Sequence, residues 1–291
     1  YDDLVGTDAG TGQGGSTKTG YVDISNLLDE SGVISSISWG YDGASVYNLI
    51  RNIKVNGKVL VDAKRPVDNK PTASAEVRAN QRSGFSIIKL NTPSSGSTFS
   101  LPHGLGKKPG FLIAKVVDEV LSWYVWHKSL SANNSYMLLN TDAGSNTSST
   151  VWASKDMTSS VIFDTASGHW GNNTPMIYYA FTDIEGYCAI GDYRGNGSSD
   201  GPFVYTGFRP VFLLYKRDST GYWRIMDTSR DPDNVSHHVL FPNTDDQEAT
   251  AVGGSQYDVD ILSNGFKIRT DLASSNADGG SFIYMAIAEN P

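Results

Sequence analysis

The chain has 291 residues, of which only 19% are charged, and its formal net charge is −8. An acidic surface repels nucleic-acid phosphates and anionic lipids, so we expect no nucleic acid and no anionic membrane as partner. The single cysteine, Cys188, excludes an internal disulfide framework. No apolar run approaches the roughly 18 residues of a membrane-spanning helix, so we expect no membrane insertion.

The N-terminal part divides into two stretches. Residue 1 is a tyrosine and the five methionines lie inside the chain, which indicates a C-terminal fragment or a processed product. Residues 1–32 form a Gly-rich segment with few apolar residues, and we predict that it is flexible. Residues 33–82 are predicted to form a partial small β module followed by a linker. The clearest element there is a hairpin over residues 53–62, in which Asn56 and Gly57 supply a two-residue turn.

Beyond the linker, short runs rich in β-branched and aromatic residues alternate with turn residues. They predict strands over residues 85–90, 111–117, 123–126, 136–140, 160–163 and 176–181. No run has the length and period of a long amphipathic helix. The sequence therefore predicts an all-β protein.

An internal repeat organises the last two hundred or so residues of the chain. The run at 106–115 matches the run at 207–216, and Trp123 matches Trp223. We interpret such shared residues as scaffold, with the two tryptophans in equivalent core positions. The repeat predicts tandem β-sandwich units. Their predicted bounds are residues 83–185 and 186–291.

The tryptophans that occur in one repeat only are better candidates for specific recognition. Aromatic rings stack on sugars and pack on other proteins, so an exposed one favours ligand binding. Trp170 is the tryptophan that we most expect in an exposed loop, because glycines and asparagines surround it. The favoured interpretation of Trp170 is nevertheless a loop tryptophan that packs against the sandwich. The candidate ligand-binding residues are Trp126, Trp152, Trp170 and His169.

No motif in the sequence indicates catalysis. A nucleophile elbow, a phosphate-binding loop, a zinc-protease helix and an EF-hand loop are all absent, so we expect no enzyme and no catalytic residue. The adjacent His237 and His238 would point to opposite faces of a strand, which disfavours a shared metal ion. A glycosidase would need two carboxylates about 5 to 9 Å apart, and the sequence alone identifies no such pair.

The acidic segment 227–234 is predicted to be a turn. Aspartate side chains accept hydrogen bonds from neighbouring backbone amides in such turns, and Arg230 is placed to pair with Asp227. Calcium binding is the alternative. Residues 200–202 and 276–280 are likewise interpreted as turns first, so we expect no cofactor and no metal.

Six motifs in the two repeats resemble a domain of unknown function that recurs in tail-fibre-like and structural proteins of tailed bacteriophages, especially marine ones. The motifs lie at residues 104–109, 123–127, 180–187, 201–210, 260–266 and 284–291. The resemblance covers residues 84–291. Residues 33–62 resemble the end of a concanavalin A-like lectin module.

This resemblance implies a virion component, made in the host cytoplasm and located in the extracellular particle. It supplies no catalytic or ligand-binding residues. The first hypothesis is a tail fibre or receptor-binding protein that binds a host surface glycan or protein. The second is a structural part, such as a head fibre, a capsid decoration or a tail-assembly protein, whose aromatic residues face other virion proteins. A glycan depolymerase is the third. A homo-oligomer, such as a trimer, is expected in either virion role.

Overall fold

The chain divides into two compact units, residues 1–63 and 64–291. The computed structural model describes residues 54, 55, 58, 59, 73, 75–93, 98–132, 134–152, 157, 158, 161–165, 170, 171, 173–250 and 257–291. Within these residues no helix is long and apolar enough to cross a membrane.

The described residues of the first unit form one hairpin. Strand β1 (Lys54–Val55) pairs with β2 (Lys58–Val59) in antiparallel fashion, and Val55 lies opposite Lys58. Two residues separate the strands, so the predicted two-residue connection is confirmed.

The second unit consists almost entirely of strands. They are β3 (Glu76–Asn80), β4 (Phe85–Asn91), β5 (Thr98–Pro102), β6 (Phe111–Val116), β7 (Tyr124–His127), β8 (Ser135–Leu138), β9 (Asn146–Thr147), β10 (Val161–Thr165), β11 (Pro175–Phe181), β12 (Cys188–Arg194), β13 (Phe203–Tyr205), β14 (Phe212–Arg217), β15 (Arg224–Asp227), β16 (His238–Val239), β17 (Ala249–Thr250), β18 (Val259–Leu262), β19 (Gly265–Ile268) and β20 (Ser281–Ile287). A single-turn helix, α1 (Ala273–Asn276), precedes β20.

Each repeat places a large sheet over a small one. In the first repeat, the order β3-β4-β11-β6-β7-β8-β9 forms the large sheet, and β5 pairs with β10 in the small sheet. In the second repeat, β12-β20-β14-β15 forms the large sheet and β13-β19-β18 the small one. A bridge between Ile225 and Leu240 joins β15 to the β16-β17 pair. All the strand pairs are antiparallel, and the predicted all-β fold of tandem sandwich-like units is confirmed.

The order of the strands is the same in both repeats. The neighbours β4, β11, β6 and β7 correspond to β12, β20, β14 and β15. Ser135 lies opposite Thr147 in the first repeat, and His238 lies opposite Thr250 in the second, so even the short edge strands keep their register. The repeat in the sequence is therefore a repeat of topology.

Strand β3 is an addition of the first repeat. It pairs along β4 from Glu76 to Asn80, inside the stretch interpreted as a linker. Of its five residues only Val77 packs on the core, while Glu76, Arg78 and Asn80 are exposed. An edge strand of this kind carries no clear apolar period, which is why the sequence did not indicate it.

Three hydrophobic cores result. The first two fill the space between the large and the small sheet of each repeat. The third lies between the outer faces of the two large sheets, and it combines Phe111, Val125 and Met137 of the first repeat with residues of the second. Those second-repeat residues are Cys188, Ile190, Leu214, Trp223, Ile283 and Met285.

Polar groups inside the third core bond across it. The indole Nε1 of Trp223 donates to the carbonyl of Leu138 at 2.8 Å. His127 accepts from the amide of Ser129 at Nδ1, so its proton lies on Nε2, which donates to the carbonyl of Tyr284 at 3.2 Å. The two repeats are thereby joined by directional bonds as well as by apolar area.

The matched tryptophans differ in burial. Trp223 is 1% exposed, whereas Trp123 is 37% exposed, so the prediction of two equivalent core positions is right for Trp223 and wrong for Trp123. The first repeat covers Trp223, and no residue in the described part of the chain covers Trp123 in the same way. The backbone setting is shared, since the amides of Trp123 and Trp223 donate to Asn140 and Asn243 respectively.

We predict that Trp223→Ala lowers the free energy of unfolding by about 3 to 5 kcal/mol, because a large buried side chain and one hydrogen bond are lost. Trp123→Ala is the matched control and should cost below about 1 kcal/mol at low protein concentration. Urea unfolding followed by far-UV circular dichroism measures both. Equal losses of unfolding free energy in the two variants would contradict the difference in burial between Trp223 and Trp123.

A second prediction concerns pH. Burial lowers the pKa of His127 to about 4. The unfolded chain binds a proton on this histidine near its ordinary pKa of about 6.5, so stability that is present above about pH 6.5 is lost as the pH falls toward 4, by at most about 3 kcal/mol. In His127→Gln, the urea midpoint should fall less between about pH 7 and about pH 5 than in the wild type. An unchanged fall would exclude His127 as a source of acid sensitivity.

Candidate recognition surface

The tryptophans predicted to bind a ligand lie inside the first core. Trp126 is 2% exposed, and Trp152 and Trp170 are fully buried. The ring centroid of Trp170 lies 4.8 Å from that of Tyr124 and 6.5 Å from that of Trp152, in edge-to-face arrangements. Trp170 is therefore not exposed, and the favoured interpretation of a loop tryptophan packed against the sandwich is confirmed. His169 lies outside the described residues.

The physical reason is the width of the gap between the two sheets. Indole rings are the largest apolar side chains, and burying them removes more area from water than any other residue type. The first core contains Trp126, Trp152 and Trp170, whereas the aromatic residues of the second core are tyrosines and phenylalanines. A tryptophan that occurs in one repeat only therefore reflects a difference in core packing between the two repeats.

Exposed aromatic rings occur instead on the small sheet of the second repeat. On β13, Phe203 is 46% exposed and Tyr205 is 68% exposed, while Val204 between them is buried in the core. Alternate residues of a strand face the same side, so the two rings stand side by side, roughly 7 Å apart along the strand. They form the aromatic pair of this sheet.

Glycines shape the surroundings of the aromatic pair. Gly265 lies opposite Tyr205, so this position on the neighbouring strand has no side chain. A Cβ atom at Gly265 would lie 2.1 Å from the carbonyl oxygen of Val204 and 3.0 Å from the Phe203 ring. The close approach of β19 thus requires glycine, and it leaves room for the Phe203 ring.

A row of charged groups borders the aromatic pair. Lys267 lies opposite Phe203, and its Nζ is 2.9 Å from the carboxylate of Asp200. Arg269 lies 3.7 Å from the same carboxylate and 3.5 Å from that of Asp260. The hydrogen bond from Lys267 lowers the pKa of Asp200, so this carboxylate stays ionised at neutral pH. Flat apolar rings beside fixed donors and acceptors suit a ligand with both an apolar face and hydroxyl groups.

The first repeat lacks this surface. The amide of Leu105 donates to His103, as the amide of Phe208 donates to Thr206, which aligns β5 with β13. In this alignment, Ser100 and Pro102 stand where the second repeat has Phe203 and Tyr205. The sequence carries a local signal of this surface, since two aromatic residues flank a valine just after Pro202.

The acidic segment 227–234 is a turn, as predicted. The amides of Ser229 and Arg230 donate to one carboxylate oxygen of Asp227, at 3.2 and 3.0 Å. The Nε of Arg230 lies 2.6 Å from the other oxygen, so the predicted pair is confirmed. A second bond joins Arg230 to Glu248. These groups fix the local backbone and the segment that carries Glu248.

The two adjacent histidines contact different acids. His237 Nδ1 lies 2.8 Å from Asp258, and His238 Nδ1 lies 4.0 Å from Asp231. The carboxylate of Asp231 also accepts the amides of both histidines. Among the described residues, no group of three or more His, Cys, Asp or Glu side chains is gathered as a metal site would require.

Asn276 organises the loop next to the aromatic pair. Its fully buried side chain donates to Asn196, to the carbonyl of Ser198 and to the carbonyl of Thr270. Asn196 donates in turn to the carbonyl of Asp200, at 3.0 Å, so Asn276 is linked to the 200–202 turn through Asn196. This network positions Asp200 beside Lys267.

Residues 63–291 match a family described as a domain of unknown function, DUF7483. The chain belongs to this family. The match covers both repeats, together with β3. No curated protein and no solved structure matches the chain. The DUF7483 domain thus comprises the duplicated sandwich and its added edge strand.

We predict that Phe203→Ala and Tyr205→Ala each change the free energy of unfolding by less than about 1 kcal/mol, because both rings are largely in solvent. Val204→Ala should cost about 1.5 to 3 kcal/mol, since its side chain is buried between the sheets. Urea unfolding of the three variants provides the comparison. A large loss at Tyr205 would make the aromatic pair a packing feature and remove it as a binding surface.

Proposed function

We propose that this protein is a surface component of a bacteriophage virion, a tail fibre or receptor-binding part that binds a host surface glycan. The observation that supports it is the exposed aromatic pair with its row of charged groups. The proposal assigns binding to this surface and no catalytic step. The protein acts within the extracellular particle, in contact with other virion proteins.

A glycan fits the chemistry of the surface. The C–H face of a sugar ring is apolar and stacks on aromatic rings such as those of Phe203 and Tyr205. Hydroxyl groups at the rim of the sugar can then accept from Lys267 and Arg269 and donate to the carboxylates of Asp200 and Asp260. The charged side chains already bond one another, so they are held in place before a ligand arrives.

The second candidate function is a purely structural virion part. The half-exposed apolar outer face of the first repeat's large sheet favours it, because such a face packs on protein. The two roles are compatible, since that face and the aromatic pair lie on different sheets of different repeats. A protein receptor remains an alternative to a glycan for the aromatic pair.

The test is binding of the full chain to an array of purified bacterial surface polysaccharides. The double variant Phe203→Ala/Tyr205→Ala should bind at least about tenfold more weakly than the wild type, because two stacked rings are lost. Tyr222→Ala is the matched control, since this tyrosine is 42% exposed but lies at the loop before β15. Its binding should equal that of the wild type.

Two outcomes would count against the proposal. Equal binding by the double variant and the wild type would show that the aromatic pair is not the contact surface. Absence of binding to any polysaccharide, together with adsorption to protease-sensitive sites on bacterial cells, would assign the pair to a protein receptor.

A further inference from the structure

The outer face of the first repeat's large sheet carries apolar residues that its counterpart in the second repeat buries. In the second repeat, Met285 lies between Ile190 and Leu214 in adjacent strands, and all three belong to the third core. In the first repeat, the same place in the sheet is held by a row of Ile87, Tyr179 and Ile113. None of these three is fully buried.

The neighbouring positions show the same difference in burial between the two repeats. Ile283 and Trp223 of the second repeat are buried, while Ile177 and Trp123, their equivalents, are partly exposed. All the residues of the first repeat at these positions are large and apolar. We name this surface the open face, and it consists of Ile87, Trp123, Ile177 and Tyr179; Ile113 borders it and packs against the third core.

The two repeats also have a lysine at equivalent positions, next to the contact between them. Lys216 Nζ donates to the carbonyls of Arg217 and Ser219 in its own repeat and, at 3.2 Å, to the carbonyl of Asp142 in the other repeat. Lys115, its equivalent, donates to the carbonyls of Val116 and Glu119 beside it. The first repeat therefore keeps the lysine and the tryptophan of the contact, without the segment that covers them in the second.

The segment that covers Trp223 also has a counterpart. It begins with Asn140-Thr-Asp142, and the second repeat carries Asn243-Thr-Asp245 at the matching place. Behind the first of these segments, Phe111, Val125 and Met137 are buried in the third core. Of their equivalents, Phe212 and Ile225 are half-buried and already pack against the third core, whereas Leu240 is 37% exposed. Leu240 and residues 241–248 form an unused edge.

Each chain thus has one open face and one unused edge. The described residues show the contact between these two kinds of surface once, from the first repeat to the second, and not in the reverse direction. We propose that the open face of one molecule binds the unused edge of a second copy, which repeats between chains the contact that joins the repeats within one chain. Trp123 Nε1 then donates to the carbonyl of Phe241, and Lys115 Nζ to that of Asp245.

The charges of the two surfaces support a second copy of the chain as the partner that covers the open face. After the aspartate that both segments share, the unused edge carries Asp246, Gln247 and Glu248, where the first repeat's segment has alanine, glycine and serine. The open face is bordered by Lys89, where the second repeat has Asp192. An acidic segment and a basic border meet in the proposed contact, so it weakens as salt is added.

The contact joins unlike surfaces, so it is heterologous. Such contacts close into a ring when the rotation between molecules permits it and otherwise form open chains. This property distinguishes the proposal from a two-fold dimer. Two variants that each disable one surface can still form one contact when they are mixed.

Analytical ultracentrifugation of the full chain over a wide range of concentration tests the proposal. The wild type should associate, with weaker association at higher salt. Trp123→Glu, on the open face, and Leu240→Asp, on the unused edge, should each raise the concentration needed for association by about tenfold or more. Lys107→Ala is the control and should associate like the wild type, since Lys107 is exposed in the turn before β6 and belongs to neither surface. Circular dichroism verifies that each variant is folded.

An equimolar mixture of the two variants gives the decisive result. A heterologous contact predicts a one-to-one complex that grows no further, because only one intact pair of surfaces remains. A wild type that stays monomeric at every concentration would overturn the proposal and assign the open face to a different partner. Association that responds to Trp123→Glu but not to Leu240→Asp would overturn it as well, since the edge would then not be the occupant.

Discussion

The packing of two large sheets through their outer faces determines most other features of the second unit. Antiparallel sheets commonly bury one face and leave the other in water. Here the large sheets are covered by a small sheet on one side and, in part, by each other on the other side. Strands β6 and β14 therefore lie between two cores, and their sequences, Phe-Leu-Ile-Ala and Phe-Leu-Leu-Tyr, are apolar without alternation. Polar groups at this boundary must bond to the backbone, as Trp223, His127 and Lys216 do.

The same packing explains what the sequence could predict. A β strand between two cores and a Gly-x-x-Pro turn before it produce strong local patterns, which is why the duplicated strands 111–117 and 212–217 could be recognised. The turn at Asp227 was predictable for a similar reason, because Asp and Arg three residues apart bond locally. In both cases the structure depends on neighbours in the sequence, so the sequence contains the necessary information.

The remaining features depend on distant residues. Whether a tryptophan is buried is decided by the opposite sheet, and Trp152 and Trp170 resemble loop residues until β5 and β10 are placed over them. Trp123 and Trp223 have matching sequence neighbours, yet the cover of Trp223 comes from residues 138–145 of the other repeat. The aromatic pair could not be predicted for the same reason, because the room for the Phe203 ring depends on Gly265, some sixty residues later in the chain. Such relations are tertiary, and no periodicity in a single sequence reports them.

Duplication followed by divergence explains how one scaffold carries different surfaces. The strand order and the asparagine caps at Trp123 and Trp223 are retained because they maintain the fold. Surfaces that the packing of the repeats does not bury were free to change, and the second repeat placed Phe203 and Tyr205 where the first has Ser100 and Pro102. The open face is the contrary case, because its residues remained apolar although the chain itself does not fully bury them. Apolar residues on a sheet face are costly to keep in water. Their retention is most simply explained by a partner that covers them, and the chain already contains a surface of the matching kind.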